Sequence, residues 1–156
     1  MPKIDVSKAQ LSTGSSYPKP FDEPCRGRSN LRIGDVGALT QFGVNITTLK
    51  PGAWSSQRHW HAKEDEFVYL LSGELVLVED DGETLLRAGD CAAWKGGARN
   101  GHHFINRSNA EARFLVVGSR DATDWGEYSD IDMQFHRENS PVQRGGAFTR
   151  KDGTKY

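Results

Sequence analysis

The chain has 156 residues, enough for one domain with a proper core and too few for two. Twenty basic residues against twenty-one acidic ones leave a net charge of -1, which argues against nucleic acid as a partner, since phosphate binding needs a concentrated positive face. No run reaches the roughly 18 apolar residues of a membrane span, and "MPKIDVSKAQLSTGSS" carries no apolar segment of the kind a secretory leader needs, so a cytoplasmic protein is the expectation.

Residues 1–38 are rich in Ser, Pro, Gly and charge and read as an N-terminal arm, extended or with short edge strands. Short β-type runs follow, with no sustained 3.6-residue apolar period. The pattern predicts strands over Gln41–Leu49, Ala53–His61, Glu66–Leu71, Glu74–Glu79, Glu83–Arg87, Cys91–Trp94, His102–Asn106 and Arg113–Gly118. Turn residues separate them at Pro51-Gly52, Ser72-Gly73, Asp81-Gly82 and Gly89-Asp90. Asp81-Gly82 between "ELVLVED" and "ETLLRA" predicts a two-residue hairpin turn, where both central residues take positive φ. Strands at this spacing predict an all-β sandwich or barrel over residues 39–120. Residues 121–156 return to polar composition and read as an extension covering the barrel or a neighbouring subunit, with one more strand in "YSDIDMQF". Cys25 and Cys91 fit neither a disulfide framework nor a paired-thiolate zinc site and read as small packing residues.

The chemistry concentrates in "QRHWHAKEDEFVYLLSGE", residues 57–74. Residues two apart on a strand share a face, so His59 and His61 point together while Trp60 points away. An H-x-H pair arises readily by chance, so it marks half of a metal site and no more. Glu66 opens the next strand, where an antiparallel return brings its carboxylate beside the rings; Glu64 and Asp65 compete for that role but sit in the turn and read as solvated, since charged turn residues need no partner. Downstream, "GDCAAWKGGARNGHHFINRS" holds two adjacent histidines. His102 shares strand parity with Asn106, and His103 has the opposite parity, so only one of the two faces the interior with Asn106.

These two stretches resemble the paired motifs of the cupins. The first reads Gly52-x6-His59-x-His61-x4-Glu66-x6-Gly73, one residue longer than the commonest cupin spacing in two places. The second runs from Gly89-Asp90 through Gly97 to His102-x3-Asn106, with Lys95 where the family usually has proline. The whole chain is similar to a group of small single-domain bacterial cupins sharing "TQFGVN", "NGHHFINRS" and "KDGTKY", some of which are labelled sugar-phosphate isomerases. The resemblance implies an all-β double-stranded β-helix (a jelly-roll barrel) with an extended arm and tail. It also implies a homodimer, and one divalent first-row metal held by His59, His61, Glu66 and His102. Three imidazoles and a carboxylate suit Mn, Fe(II), Co, Ni, Cu(II) or Zn without selecting among them.

Four protein ligands on a six-coordinate ion leave two positions for a small-molecule ligand. That suits a metal-dependent isomerase or lyase acting on a carbohydrate-like or carboxylated molecule. The alternatives are a non-catalytic binding or sensing protein, and an Fe(II) dioxygenase. No acid–base partner stands out: Arg58, Tyr69 and His103 are near in sequence, but Arg58 and His103 have the parity that faces away from the ligands. Lys95 and Arg99 fit either a solvated loop or an anion contact at the barrel mouth.

Overall fold

Short apolar alternations separated by turns give a computed structural model built almost wholly of strands; it describes residues 3–137 and 147–156. In chain order these are β1 (Leu11–Thr13), β2 (Arg28–Leu31), β3 (Phe42–Leu49), β4 (Glu66–Ser72), β5 (Glu74–Glu79) and β6 (Gly82–Arg87). There follow β7 (Cys91–Trp94), β8 (His103–Ile105), β9 (Ala112–Ser119), β10 (Trp125–Glu127), β11 (Gln134–His136) and β12 (Ala147–Thr149). One short helix, α1 (Ile33–Val36), lies between β2 and β3. None of the described helices is long and apolar enough to cross a membrane.

The strands form a double-stranded β-helix. Six of them make an antiparallel sheet in the order β1-β2-β3-β9-β4-β7, and β6-β5-β8 make a second, smaller one. Alternation decides which side chains meet between the sheets. On β4, Val68 and Leu70 are buried while Phe67, Tyr69 and Leu71 are exposed. Leu49 and Phe114 from the large sheet pack in one cluster with Leu75, Leu77, Leu86 and Phe104 from the small one. The β4–β5 connection depends on Gly73 at φ +80°, where an added Cβ would stand 2.8 Å from the Ala112 Cα.

Both flanks of the barrel are built into it. β1 and β2 extend the large sheet beyond β3. Beside the β10-β11-β12 sheet, Tyr128, Met133 and Phe135 form a second cluster, against which Tyr17 and Phe21 of the arm pack.

Three expected elements differ. The segment 128–135 is not one strand: residues 129–132 bend between β10 and β11, and only Gln134 and Phe135 lie in a strand. Residues 53–61 form no continuous strand and touch the ladder only at bridges from Trp54 to Ile105 and from His59 to His102 and Tyr128. The reason is local: the Ser55 hydroxyl accepts the Phe104 N–H at 2.9 Å and so takes the place of a backbone ladder partner. The β5–β6 turn is Asp80-Asp81, one residue earlier than expected, with Glu79 opposite Gly82. Of the expected pair only Gly82 has positive φ, at +135°.

Candidate metal centre

His59 lies where three segments meet. Its backbone pairs with His102 on one side and Tyr128 on the other, so one residue joins the barrel to the C-terminal sheet. His61 follows with its ring centroid 5.0 Å from that of His59, and the His102 ring lies 5.8 Å from His59. Glu66, the first residue of β4, places Oε2 at 3.2 Å from His102 Nε2. The His102 ring stacks flat on Trp94 at 3.7 Å between centroids, and Trp94 is fixed by an indole N–H donated to Glu79 at 2.7 Å. His59, His61, Glu66 and His102 thus come together at one end of the barrel.

Each ring is oriented through Nδ1. His59 Nδ1 donates to Gln57 O at 2.9 Å, and His102 Nδ1 donates to Asn100 O at 3.2 Å. A backbone carbonyl only accepts, so Nδ1 carries the proton on both rings and Nε2 is the remaining nitrogen. His61 Nδ1 meets Asp124 Oδ2 at 2.7 Å, leaving its Nε2 as well. Tying back one ring nitrogen through an acceptor is how metal-binding imidazoles are held in the required tautomer. The contact between His102 Nε2 and Glu66 needs a positive particle, because a lone pair and a carboxylate repel; a proton or a metal ion meets that need.

The electrostatics agree at His59 and Glu66, while at His61 the lowering by burial is overcome by the Asp124 contact and the nearby carboxylates, which raise it. Burial, reinforced by the nearby His61 and His102, pushes His59 down to about 3, so this ring stays neutral. Burial alone would raise Glu66, but the His102 contact and the surrounding imidazoles hold it down to about 2. A neutral ring and an ionised carboxylate are the protonation states that metal coordination requires.

Glu64 corrects the sequence reading of a solvated turn residue. It is 6% exposed, accepts the Asp121 N–H at 2.9 Å and pairs with Arg137 at 2.6 Å. His61, Glu64 and Asp124 offer ligand atoms within 4.8 Å of one another, which makes this group a possible cation site too. Its acceptors are already engaged, however: Asp124 Oδ1 takes the Lys63 N–H at 2.9 Å while Oδ2 holds His61. The group reads best as a buttress that turns His61 Nε2 toward Glu66 and His59.

Of the other sequence candidates, His103 lines the cavity of about 140 Å³ with His59, Glu66 and His102, but its ring is held by other contacts. His103 donates Nδ1 to Ser56 O at 2.9 Å and packs edge-on against Trp54. Arg58 is held by Asp130 and Asp80. Tyr69 lies exposed on the outer sheet face, and the Arg99 guanidinium sits over the Trp60 ring. What sequence reasoning missed is Asp124, in a polar stretch with no periodic signal, and Arg28, whose alternation in Arg28-x-Asn30-x-Arg32 was visible. Arg28 and His59 together line three adjoining cavities of about 210, 140 and 350 Å³.

Residues 45–118, which include all four side chains, match the family described as Cupin domain. No curated protein matches the chain. A solved structure from Silicibacter pomeroyi, described as a sugar phosphate isomerase from a cupin superfamily, is 49% identical over 99% of this chain and 96% of its own, with a TM-score of 0.91. A protein of Acidithiobacillus ferrooxidans, described as a candidate sugar phosphate isomerase, is 21% identical over 100% and 94% of the two chains at a TM-score of 0.77. The polyketide cyclase RemF of Streptomyces resistomycificus is 20% identical over 76% and 79% at 0.58. The last two share the fold alone. With the first of these spanning nearly its full length, this chain belongs to the cupin superfamily.

Proposed function

We propose that His59, His61, Glu66 and His102 hold one divalent first-row metal ion, and that the chain is an enzyme acting on a small carbohydrate-like or carboxylated molecule, with isomerase chemistry favoured. The observation that carries this is the shared orientation of three imidazoles, each tied back through Nδ1 to an acceptor, beside a carboxylate 3.2 Å from one of them. When bound, such an ion supplies Lewis-acid stabilisation of negative charge on a substrate oxygen. The chain's own residues do the rest: Trp94, Tyr128 and Phe135 pack against the imidazoles and keep water from their outer sides, while Asp124 and Gln57 fix ring orientation. The sugar phosphate isomerase description of the Silicibacter pomeroyi protein supports an isomerase over a lyase or an Fe(II) dioxygenase.

A second reading, a non-catalytic binding or sensing protein, draws on His103 and Arg58, which are held by other contacts, and on Tyr69, which is exposed on the outer sheet face. On either reading the chain is a cytoplasmic homodimer with an arm over residues 1–38, a barrel over 39–120 and an extension over 121–156, and both flanks contribute side chains to the cavity.

The test is metal content followed by turnover. The purified chain is expected to carry one first-row metal per chain, and His59→Ala and Glu66→Ala to retain less than a tenth of it. Aldose and ketose phosphates in deuterated water, followed by proton NMR, should interconvert with the loaded protein and not after chelation. Metal retained in both variants would overturn the ligand assignment. Saturable binding of a sugar phosphate without turnover would replace the enzyme by the binding reading.

A further inference from the structure

The inner face of β2 is polar where a barrel face is normally apolar. Arg28 and Asn30 alternate with Ser29 and Leu31, and Arg32 continues the same parity past the strand end. Opposite them on β3 are Thr47, whose hydroxyl donates to Asn30 Oδ1 at 2.6 Å, and Asn45. This half-buried stripe lines the same cavity of about 350 Å³ as His59, His61 and Glu66. Four arginines reach that cavity, and two are already neutralised: Arg120 by Asp35 at 3.1 Å and Arg137 by Glu64 at 2.6 Å. Arg28 and Arg32 have no carboxylate partner among the described residues.

Arg28 is nonetheless fixed. Its Nε donates to Gly14 O at 3.1 Å and its Nη1 to Ser55 O at 2.5 Å. Two neutral carbonyls orient the guanidinium without cancelling its charge, and Nη2 is left without a protein acceptor among the described residues. Arg28 and His59 are the two residues common to all three adjoining cavities, so this cation stands beside the imidazole cluster. A planar, oriented, uncompensated guanidinium at a cavity wall is matched to an oxyanion, which it can take through parallel N–H donors. Arg32, the residue after β2, lies roughly 13 Å further on and adds positive charge to the same cavity.

We infer that Arg28 anchors an oxyanion group of the substrate, a phosphate ester or a carboxylate, with Asn30 and Arg32 alongside it. This rests on the reading of the cavity as the substrate site and narrows the substrate to an anionic molecule whose polar remainder faces His59 and Glu66.

The experiment uses the full chain stripped of metal, so that an added anion has no ion to bind. Inorganic phosphate and malonate are titrated separately, with binding followed by calorimetry or amide chemical shifts. Saturable binding of at least one is expected, weakened at least tenfold in Arg28→Gln, partly restored in Arg28→Lys, and unchanged in Arg113→Gln on the outer face. Tighter phosphate assigns a phosphate ester, and tighter malonate a carboxylate. Where Arg28→Gln fails to fold, Arg32→Gln, whose side chain bonds to nothing among the described residues, carries the test with at least a threefold weakening expected. Arg28→Gln, assayed before stripping, should carry metal as the parent does, so loss of the metal reading and loss of the anion reading register in different measurements. Absence of saturable binding of both anions, or parent-like affinity in the folded arginine variants, would overturn the inference.

Discussion

Asp124 is fully buried, and its two oxygens face different partners, the Lys63 N–H and His61 Nδ1. Asp124→Asn keeps the volume but offers an amide NH2 to one of two donors, so one contact turns repulsive. Loss of the acceptor behind a metal-binding imidazole typically weakens metal affinity by about 10–100-fold. A competition titration against a chromophoric chelator should show that drop in Asp124→Asn; parent-like affinity would remove Asp124 from the site. Tyr17 offers a pH test of a different kind. Burial, partly opposed by the bond to Tyr128, pushes its phenol up to about 12. An unfolded tyrosine ionises near 10, so above that pH the unfolded chain releases this proton first and stability falls until the folded phenol also ionises. Between about pH 10 and 12 the parent should lose on the order of 2 kcal/mol more than Tyr17→Phe in urea unfolding. Equal losses in the two proteins would mean that the phenol is solvated.

The clamp between residues 59–62 and β10 is the element on which the site's geometry depends. Trp60 N donates to Glu127 O at 3.3 Å and Ala62 N to Trp125 O at 2.8 Å, with Gly126 between them. A Cβ at Gly126 would stand 1.9 Å from Trp60 O and 2.7 Å from the Phe135 ring. Gly126→Ala therefore has to lift β10 away, with an expected loss of about 2 kcal/mol or more in urea unfolding and weaker metal binding, because His59 and His61 are on the clamped segment. Gly118→Ala, whose Cβ meets Asp65 O at an ordinary 3.5 Å, is the tolerated control. The clamp also explains what the sequence could and could not reveal. β3 to β7 and β9 follow from alternation and turn residues, which act locally. Residues 53–61 have a strand's pattern but spend it on a serine hydroxyl and three isolated bridges, and those depend on where β8 and β10 arrive. Strand parity and motif spacing were enough to bring His59, His61, Glu66 and His102 under suspicion together. Asp124, Glu64 and Arg28 escaped because their roles come from contacts 14 to 73 positions apart, which no local period encodes.

At the scale of the molecule, the outer face of the large sheet is left uncovered among the described residues. Phe42, Phe67, Tyr69 and Leu71 are 39–44% exposed there, and Ala93 and Val117 flank Phe67 on the neighbouring strands. Single exposed apolar residues are ordinary, but a contiguous patch across several strands marks an interface. A second copy of the chain is the occupant proposed here: the homodimer expected from the cupin resemblance needs such a face, and a net charge of -1 sets up little repulsion between copies. A stable pair needs on the order of 1,000 Å² or more of buried surface. Light scattering should give twice the chain mass for the parent at micromolar concentration, and the single-chain mass for Phe67→Glu combined with Tyr69→Glu. The single-chain mass for the parent, or a dimer surviving in the double variant, would sink this assignment. Phe67 is also the neighbour of Glu66, and their side chains leave opposite faces of β4. Disrupting the outer face should then leave metal stoichiometry intact, because the four proposed ligands all come from one chain and none depends on the partner.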